Sequence, residues 1–241
     1  MLREGEAADF HKKEKDHRRG VFPAINIGVT HGKGTPHPIQ LSAGTHSAMM
    51  RRLLEDADMQ RLAFFASASF QHWFPRTYAY YKQRLDVLWT EFTKREEGRL
   101  LKKNFPRSIF PSAAFNFGPR VCTFKHRDYL NCPFGLCSVQ ALGEFDPKKG
   151  GHLVLWEPKI FIEFPANSVV LIPSATITHS NTPCQPHETR LSFTQYCAGG
   201  LFRFLKAQDP ALYDQIIEQR KDQWKEGLEL FGTLEELLHS S

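Results

Sequence analysis

The stretch RLSFTQYCA, Arg190–Ala198, alternates its side chains with a period of two. In a strand that period puts Arg190, Ser192, Thr194, Tyr196 and Ala198 on one face and Leu191, Phe193, Gln195 and Cys197 on the other. Working outward, AAFNFG, RVCTFK, GLCSVQAL, HLVLWEP, KIFIEFP and SVVLIP are further short β-rich runs, separated by Gly, Pro and Asn. Many short strands divided by turn residues predict an antiparallel sandwich or barrel over 112–204. Upstream, Met49, Met50, Leu53, Leu54, Met59, Leu62 and Phe65 recur at helical spacing over His46–Ser69. Tyr78, Tyr81, Leu85, Leu88, Trp89 and Phe92 do the same over Pro75–Glu96, so 46–96 reads as two helices bracing the β-core. Downstream, Asp209-Pro210 signals a helix start within 205–238, with Leu212, Ile216, Ile217, Trp224 and Leu228 as its core face. The predicted class is α+β, with helices first and a β-core after them, in one domain over residues 1–241.

Composition bounds what such a chain does. At 241 residues and 41% hydrophobic it can bury one sizeable core. No apolar stretch reaches the roughly 18 residues of a membrane span, and the first twenty residues are charged, so no membrane partner and no secretion are expected. Five cysteines, an odd number without a Cys-x-x-Cys pair, fit reduced thiols rather than a disulfide framework or a zinc ribbon. A net charge of +5 tolerates a polyanionic partner without demanding one. The opening 1–20, with HKKEKDHRRG at its end, mixes both signs and reads as a flexible, solvated arm. Beyond it, Ile25-Asn26-Ile27 reads as a short strand. The loop Thr30–His37 that follows carries Lys33 among glycines and offers backbone N–H groups of the kind that position phosphates.

The chemistry-bearing residues lie in the β-core. In FKHRDYLNCP, Phe124–Pro133, a strand through RVCTFKHRD would point His126 and Asp128 to one face, where they can reach one metal ion. His179, at the start of another β-rich segment, offers a second imidazole. Two histidines and one carboxylate leave coordination positions open, the ligand set of non-haem Fe(II) oxygenases, whereas a structural zinc site wants a fourth ligand. Arg190 stands beside Ser192 on the first face of its strand. An arginine buried in a barrel is costly unless an anion meets its fork, and a carboxylate does so bidentately.

The residues HRDYLN (His126–Asn131), GGHLVLWEP, SVVLIPSATITHS and RLSFTQY together resemble the Fe(II)/2-oxoglutarate dioxygenases, and within them the Tet/JBP family of nucleic-acid base oxidases, its compact fungal branch above all. The resemblance covers the β-core and implies a double-stranded β-helix (jelly roll) whose mouth receives a flipped base. It implies Fe(II) on His126, Asp128 and His179, O2 as oxidant, and 2-oxoglutarate with its distal carboxylate on Arg190 and Ser192. Arg120 is a further candidate for the keto acid. Asn131 falls where the family meets the exocyclic edge of the base, and Tyr196 where a ring stacks on it. Lys33 is a candidate DNA contact. Tet cytosine oxidases carry a histidine where this chain has Ala198, which removes a donor and opens room. The implied activity is oxidation of 5-methylcytosine to hydroxymethyl, formyl and carboxyl forms, and the departure at Ala198 adds the expectation of a more tolerant pocket that also admits N6-methyladenine for demethylation. Methylated duplex DNA is the implied partner of a monomeric, nuclear enzyme. Two other functions share the core residues: an oxygenase acting on a protein or small molecule, and a non-catalytic DNA-binding relative.

Overall fold

The computed structural model describes residues 1–32, 34–207, 223–233 and 235–236. Its centre is a six-stranded antiparallel sheet in the order β4-β3-β5-β11-β6-β9. The strands are β3 (Ala24–Thr30), β4 (Ile39–Leu41), β5 (Ser112–Asn116), β6 (Cys137–Glu144), β9 (Val169–Ile172) and β11 (Thr189–Tyr196). A three-stranded antiparallel sheet, β10-β7-β8, is built from β7 (Leu153–Leu155), β8 (Ile160–Ile162) and β10 (His179–Asn181).

The alternation in β11 is the key to the layers. Pairing sets Arg190 opposite Gly143, Ser192 opposite Ala141 and Asn116, Thr194 opposite Val139 and Ala114, and Tyr196 opposite Ser112. The inner face is therefore largely small residues around a few polar ones. Between the sheets a small apolar cluster of Ala141, Leu153, Phe164 and Ile172 closes one part of this cup. The other face carries Ile25, Ile27, Ala113, Phe115 and Phe193, buried against Met49, Met50, Leu53, Met59 and Ala63 of the helices. Burying each such large apolar side chain contributes about 1.5–3 kcal/mol. Two glutamines on this outer face also reach the helical backbone: Gln140 Nε2 donates to Leu62 O at 2.8 Å and Gln195 Nε2 to Ala63 O at 3.3 Å.

The stretch expected as one helix over His46–Ser69 is two, α3 (Ser47–Glu55) and α4 (Ala57–Trp73). Asp56 interrupts it in an extended conformation, and its Oδ1 accepts from the amides of Asp58 and Met59 at 3.0 and 2.9 Å. The carboxylate satisfies two amides that a helix start leaves open. The next helix, α5 (Pro75–Thr90), begins with proline at its first turn and buries Tyr81, Leu85 and Leu88. These pack with Phe70, Phe92, Phe110 and the apolar side of α6 (Gly199–Ala207) in the largest core cluster.

Four further expectations need correction. RVCTFK forms no strand: residues 120 and 126 make only isolated bridges, Arg120 with Arg190 and His126 with His179. The charged arm is not free. It folds into α1 (Leu2–Ala7), α2 (Lys12–Lys15) and a hairpin of β1 (Asp16–His17) with β2 (Gly20–Val21). Its Glu4 takes two bonds from Arg52 at 3.0 and 2.6 Å, and Phe10 is buried against Phe117 and His46. The β-core begins before Ser112, since β3 and β4 belong to the main sheet. At the other end, Trp224 and Leu228 of α7 (Gln223–Glu229) are about half exposed instead of forming a core face. Leu212, Ile216, Ile217 and the Asp209-Pro210 start lie outside the described residues, as does Lys33.

Candidate metal and keto-acid site

His126, Asp128 and His179 meet at the edge of the smaller sheet, with their ligand atoms within 4.8 Å of one another. His126 N donates to His179 O at 3.0 Å and His179 N to His126 O at 2.9 Å, so a two-residue bridge replaces the expected strand in bringing the imidazoles together. Their ring centroids are 4.3 Å apart. His126 Nδ1 donates to Phe124 O at 2.7 Å and His179 Nδ1 to Ile177 O at 3.0 Å. With each Nδ1 proton bound, the tautomer is fixed and both Nε2 lone pairs face the carboxylate, at 3.8 Å and 3.9 Å from the Asp128 oxygens. Burial, then the neighbouring His179, bring His126 down to about 4, so it is neutral at pH 7, as a metal ligand must be.

A salt-bridged clasp holds the two ligand segments. Arg127, between the first two ligands, donates through Nε to Thr178 Oγ1 at 2.7 Å and also pairs with Glu157. Glu157 in turn accepts from Thr178 N at 2.7 Å, directly before His179. Thr178 and Arg127 together hold the Glu157 carboxyl down to about 2.

Arg190 is 1% exposed and lies deeper in the cup. Nη1 donates to Val121 O at 2.9 Å, while Nε and Nη2 have no hydrogen-bond partner among the described residues. Desolvation brings the guanidinium down to about 10, the mark of a buried cation awaiting an anion. Two glycines make room beside it. Gly143 (φ +110) lies opposite, and at Gly151 (φ +71) a Cβ would stand 3.1 Å from Arg190 Nε and 2.6 Å from the Phe145 ring. On the same face Ser192 Oγ accepts from Asn116 Nδ2 at 2.9 Å, which leaves the serine proton to donate to an anion at Arg190.

The structure brings Asn131 and Tyr196 to this place too. Asn131 N donates to Asp128 O at 2.9 Å across a turn, and its Nδ2 reaches Cys137 Sγ at 3.1 Å and Ser174 Oγ at 3.2 Å. Residues 131 and 198 form an isolated bridge, which fixes buried Ala198 beside it. Tyr196 OH lies 3.4 Å from Asn26 Oδ1. Its value is raised to about 12, mainly by burial, with Arg19 opposing and Asp128 adding to the shift, so both charges are near it. Arg120 does not join them. It is exposed and its Nη1 donates to Pro186 O at 2.8 Å. Sequence reasoning missed Asn116, Ser174, Gly151 and Arg19. Only a β-run around Asn116 hinted at the first.

A two-histidine, one-carboxylate face beside an antiparallel cup with a buried unpaired arginine is the arrangement used by Fe(II)/2-oxoglutarate oxygenases, and the site fits Fe(II), 2-oxoglutarate and O2. Among solved structures, that of NgTET1 in complex with 5mC DNA is similar with a TM-score of 0.56 at 15% identity, over 73% of this chain and 61% of that one. The chain thus spans about three fifths of that protein, and at this identity the likeness is one of fold. A 2OG-Fe(II) family oxygenase from Burkholderia pseudomallei aligns over 75% of this chain and 70% of its own at 18% identity, with a TM-score of only 0.36. No family model and no curated protein matches the sequence. Among the described residues no helix is long and apolar enough to cross a membrane.

Proposed function

We propose that the chain is an Fe(II)/2-oxoglutarate-dependent dioxygenase of the Tet type that oxidises methyl groups on flipped DNA bases, and that its two sheets form a double-stranded β-helix. The observation that carries the oxygenase part is Arg190, a fully buried guanidinium with two nitrogens that lack a hydrogen-bond partner among the described residues, in the same cup as a candidate metal-ligand triad. Bound together, iron, 2-oxoglutarate and O2 supply the oxidant that removes hydrogen from a methyl group.

The remaining work falls to the chain. His126, Asp128 and His179 hold the metal on one face, and the Arg127–Glu157–Thr178 clasp keeps that face in register. Arg190 and Ser192 grip the distal carboxylate, while Val139, Ala141 and Ile172 keep the cup dry. With Asn131 Nδ2 turned inward, its Oδ1 is left to accept from an exocyclic amine, a group that cytosine and adenine share. Tyr196 supplies a ring near the same place, and unstacking a base is repaid by such an aromatic face. The side chain of Ala198, bridged to Asn131, carries neither a ring nor a donor of its own, so we assign both 5-methylcytosine and N6-methyladenine as substrates. The same proposal takes residues 1–241 as one unit, acting as a monomer on nuclear duplex DNA.

The test is to incubate the Fe(II)-loaded protein with 2-oxoglutarate and duplex DNA carrying either methylated base, measuring nucleosides by mass spectrometry alongside succinate. Hydroxymethylcytosine or regenerated adenine, with succinate, is expected. Succinate without a changed base would keep the oxygenase and discard the DNA substrate. Strict cytosine selectivity would discard the adenine assignment.

A further inference from the structure

The two residues between the metal ligand Asp128 and the base-facing Asn131 are Tyr129 and Leu130, and they are 72% and 55% exposed. Large apolar side chains pointing into solvent on a tight turn call for a partner when they stand beside a site. Here the turn is held from both ends: Asn131 N donates to Asp128 O at 2.9 Å, and Gly199 N donates to Leu130 O at 2.8 Å. The backbone is therefore pinned to the metal site and to the start of α6 while the two side chains project outward.

The strip that leads into the turn is basic. The β1–β2 hairpin lays its tip, Arg18–Arg19, against the same segment. Phe124 N donates to Arg19 O at 2.8 Å and Arg18 Nη1 to Arg127 O at 3.1 Å. Lys125 Nζ sits 3.9 Å above the half-exposed Trp156 ring. The acidic member of this collar, Glu157, is already engaged by Arg127, and Asp16 lies at the end of the hairpin away from its tip. Such a surface fits a polyanion with an apolar interior, cations meeting phosphates and the turn meeting stacked bases.

We infer that Tyr129 and Leu130 form a wedge that enters a DNA duplex and fills the space left when the methylated base turns into the cup, with Arg18, Arg19 and Lys125 on the flanking phosphates. This rests on the base-oxidase proposal and deepens it. A wedge offsets the cost of unstacking only where a stack exists, so the substrate is duplex and not single-stranded DNA.

The experiment compares the protein with its Tyr129→Ala/Leu130→Ala variant on one methylated sequence, presented as a duplex and as a single strand. The duplex to single-strand ratio of kcat/KM should fall at least tenfold in the variant, and a duplex with an abasic site opposite the methylated base should recover most of the loss. An unchanged ratio would overturn the wedge. A second measurement does not need turnover. In duplex DNA with 2-aminopurine next to the methylated base, fluorescence should rise when the Mn(II)- and 2-oxoglutarate-loaded protein binds and should rise less with the variant. Equal signals from both proteins would also overturn it. Absence of any oxidised base with either strand form points instead to failure of the base-oxidase proposal, and the fluorescence then judges the wedge by itself.

Discussion

Replacing Arg190 by methionine should make the protein more stable when no keto acid is bound. The guanidinium is 1% exposed, and desolvation lowers it from 12.5 to about 10. A folded-state value below the unfolded one means that the charged form is disfavoured by folding. That cost is fully present below pH 10 and is relieved only as the pH rises from about 10 to 12.5. At pH 7.5 the shift corresponds to roughly 3 kcal/mol against folding. Arg190→Met removes this cost and also the bond from Nη1 to Val121 O, worth about 1 kcal/mol. The net is a gain of about 2 kcal/mol, or about 4–8 °C in Tm for a chain of this size. 2-Oxoglutarate at a hundred times its Kd should stabilise the parent by about 2.7 kcal/mol and the variant hardly at all. Thermal melts of both proteins with Mn(II), with and without 2-oxoglutarate, read all four states. A variant that melts lower than the parent without the keto acid, or that keeps the parent's upward shift with it, would refute Arg190 as the anion's seat.

Glu157→Gln should weaken Co(II) or Mn(II) binding about tenfold while leaving the metal-free melt in place, because it loosens the clasp around His179 without touching a ligand. Glu157 is held at about 2, so the clasp is intact above pH 4.5 and is lost as the pH falls toward 2; the affinity gap between parent and Glu157→Gln should therefore narrow on acidification, a comparison in which the His126 titration is common to both proteins. His126→Ala should abolish metal binding with unchanged circular dichroism, and loss of helical signal would count against a catalytic ion. Asp56→Ala removes the acceptor for two helix-start amides and should cost about 1 kcal/mol in urea unfolding, with no effect on the metal site.

Local pattern carried the strands well where a strand lies in a sheet. The period of two in RLSFTQY survives because β11 is flanked by β5 and β6 on both sides, so both faces of that run are fixed. The same pattern in RVCTFK misled: among the described residues its backbone finds scattered single bonds, Val121 N to Arg190 O and Phe124 N to Arg19 O among them, and no continuous ladder with a strand. That His126, Asp128 and His179 could share one ion was legible in the sequence, and the fold does cluster them. The reason His126 and His179 converge was not, because it lies in two backbone bonds between residues more than fifty positions apart. Asn116, Gly151 and Ser174 are silent in sequence for the same reason. Their meaning comes from Ser192, Arg190 and Asn131, which only the folded sheets bring near. The arm was misjudged because mixed charge resembles solvation when its partners, Arg52 for Glu4 and His46 for Glu14, lie 48 and 32 residues away.

That docked arm bears on how the protein is handled at the bench. A worker trimming charged ends before expression would cut ahead of Pro23, where the apolar pattern starts. The cut would take away Phe10 from its place on Phe117 and the hairpin whose Arg19 carbonyl receives the Phe124 amide. The strip of backbone carrying His126 and Asp128, two of the three candidate metal ligands, would lose its outer neighbour. A shortened protein that fails to load metal would then say nothing against the triad, only that its retaining wall had been removed.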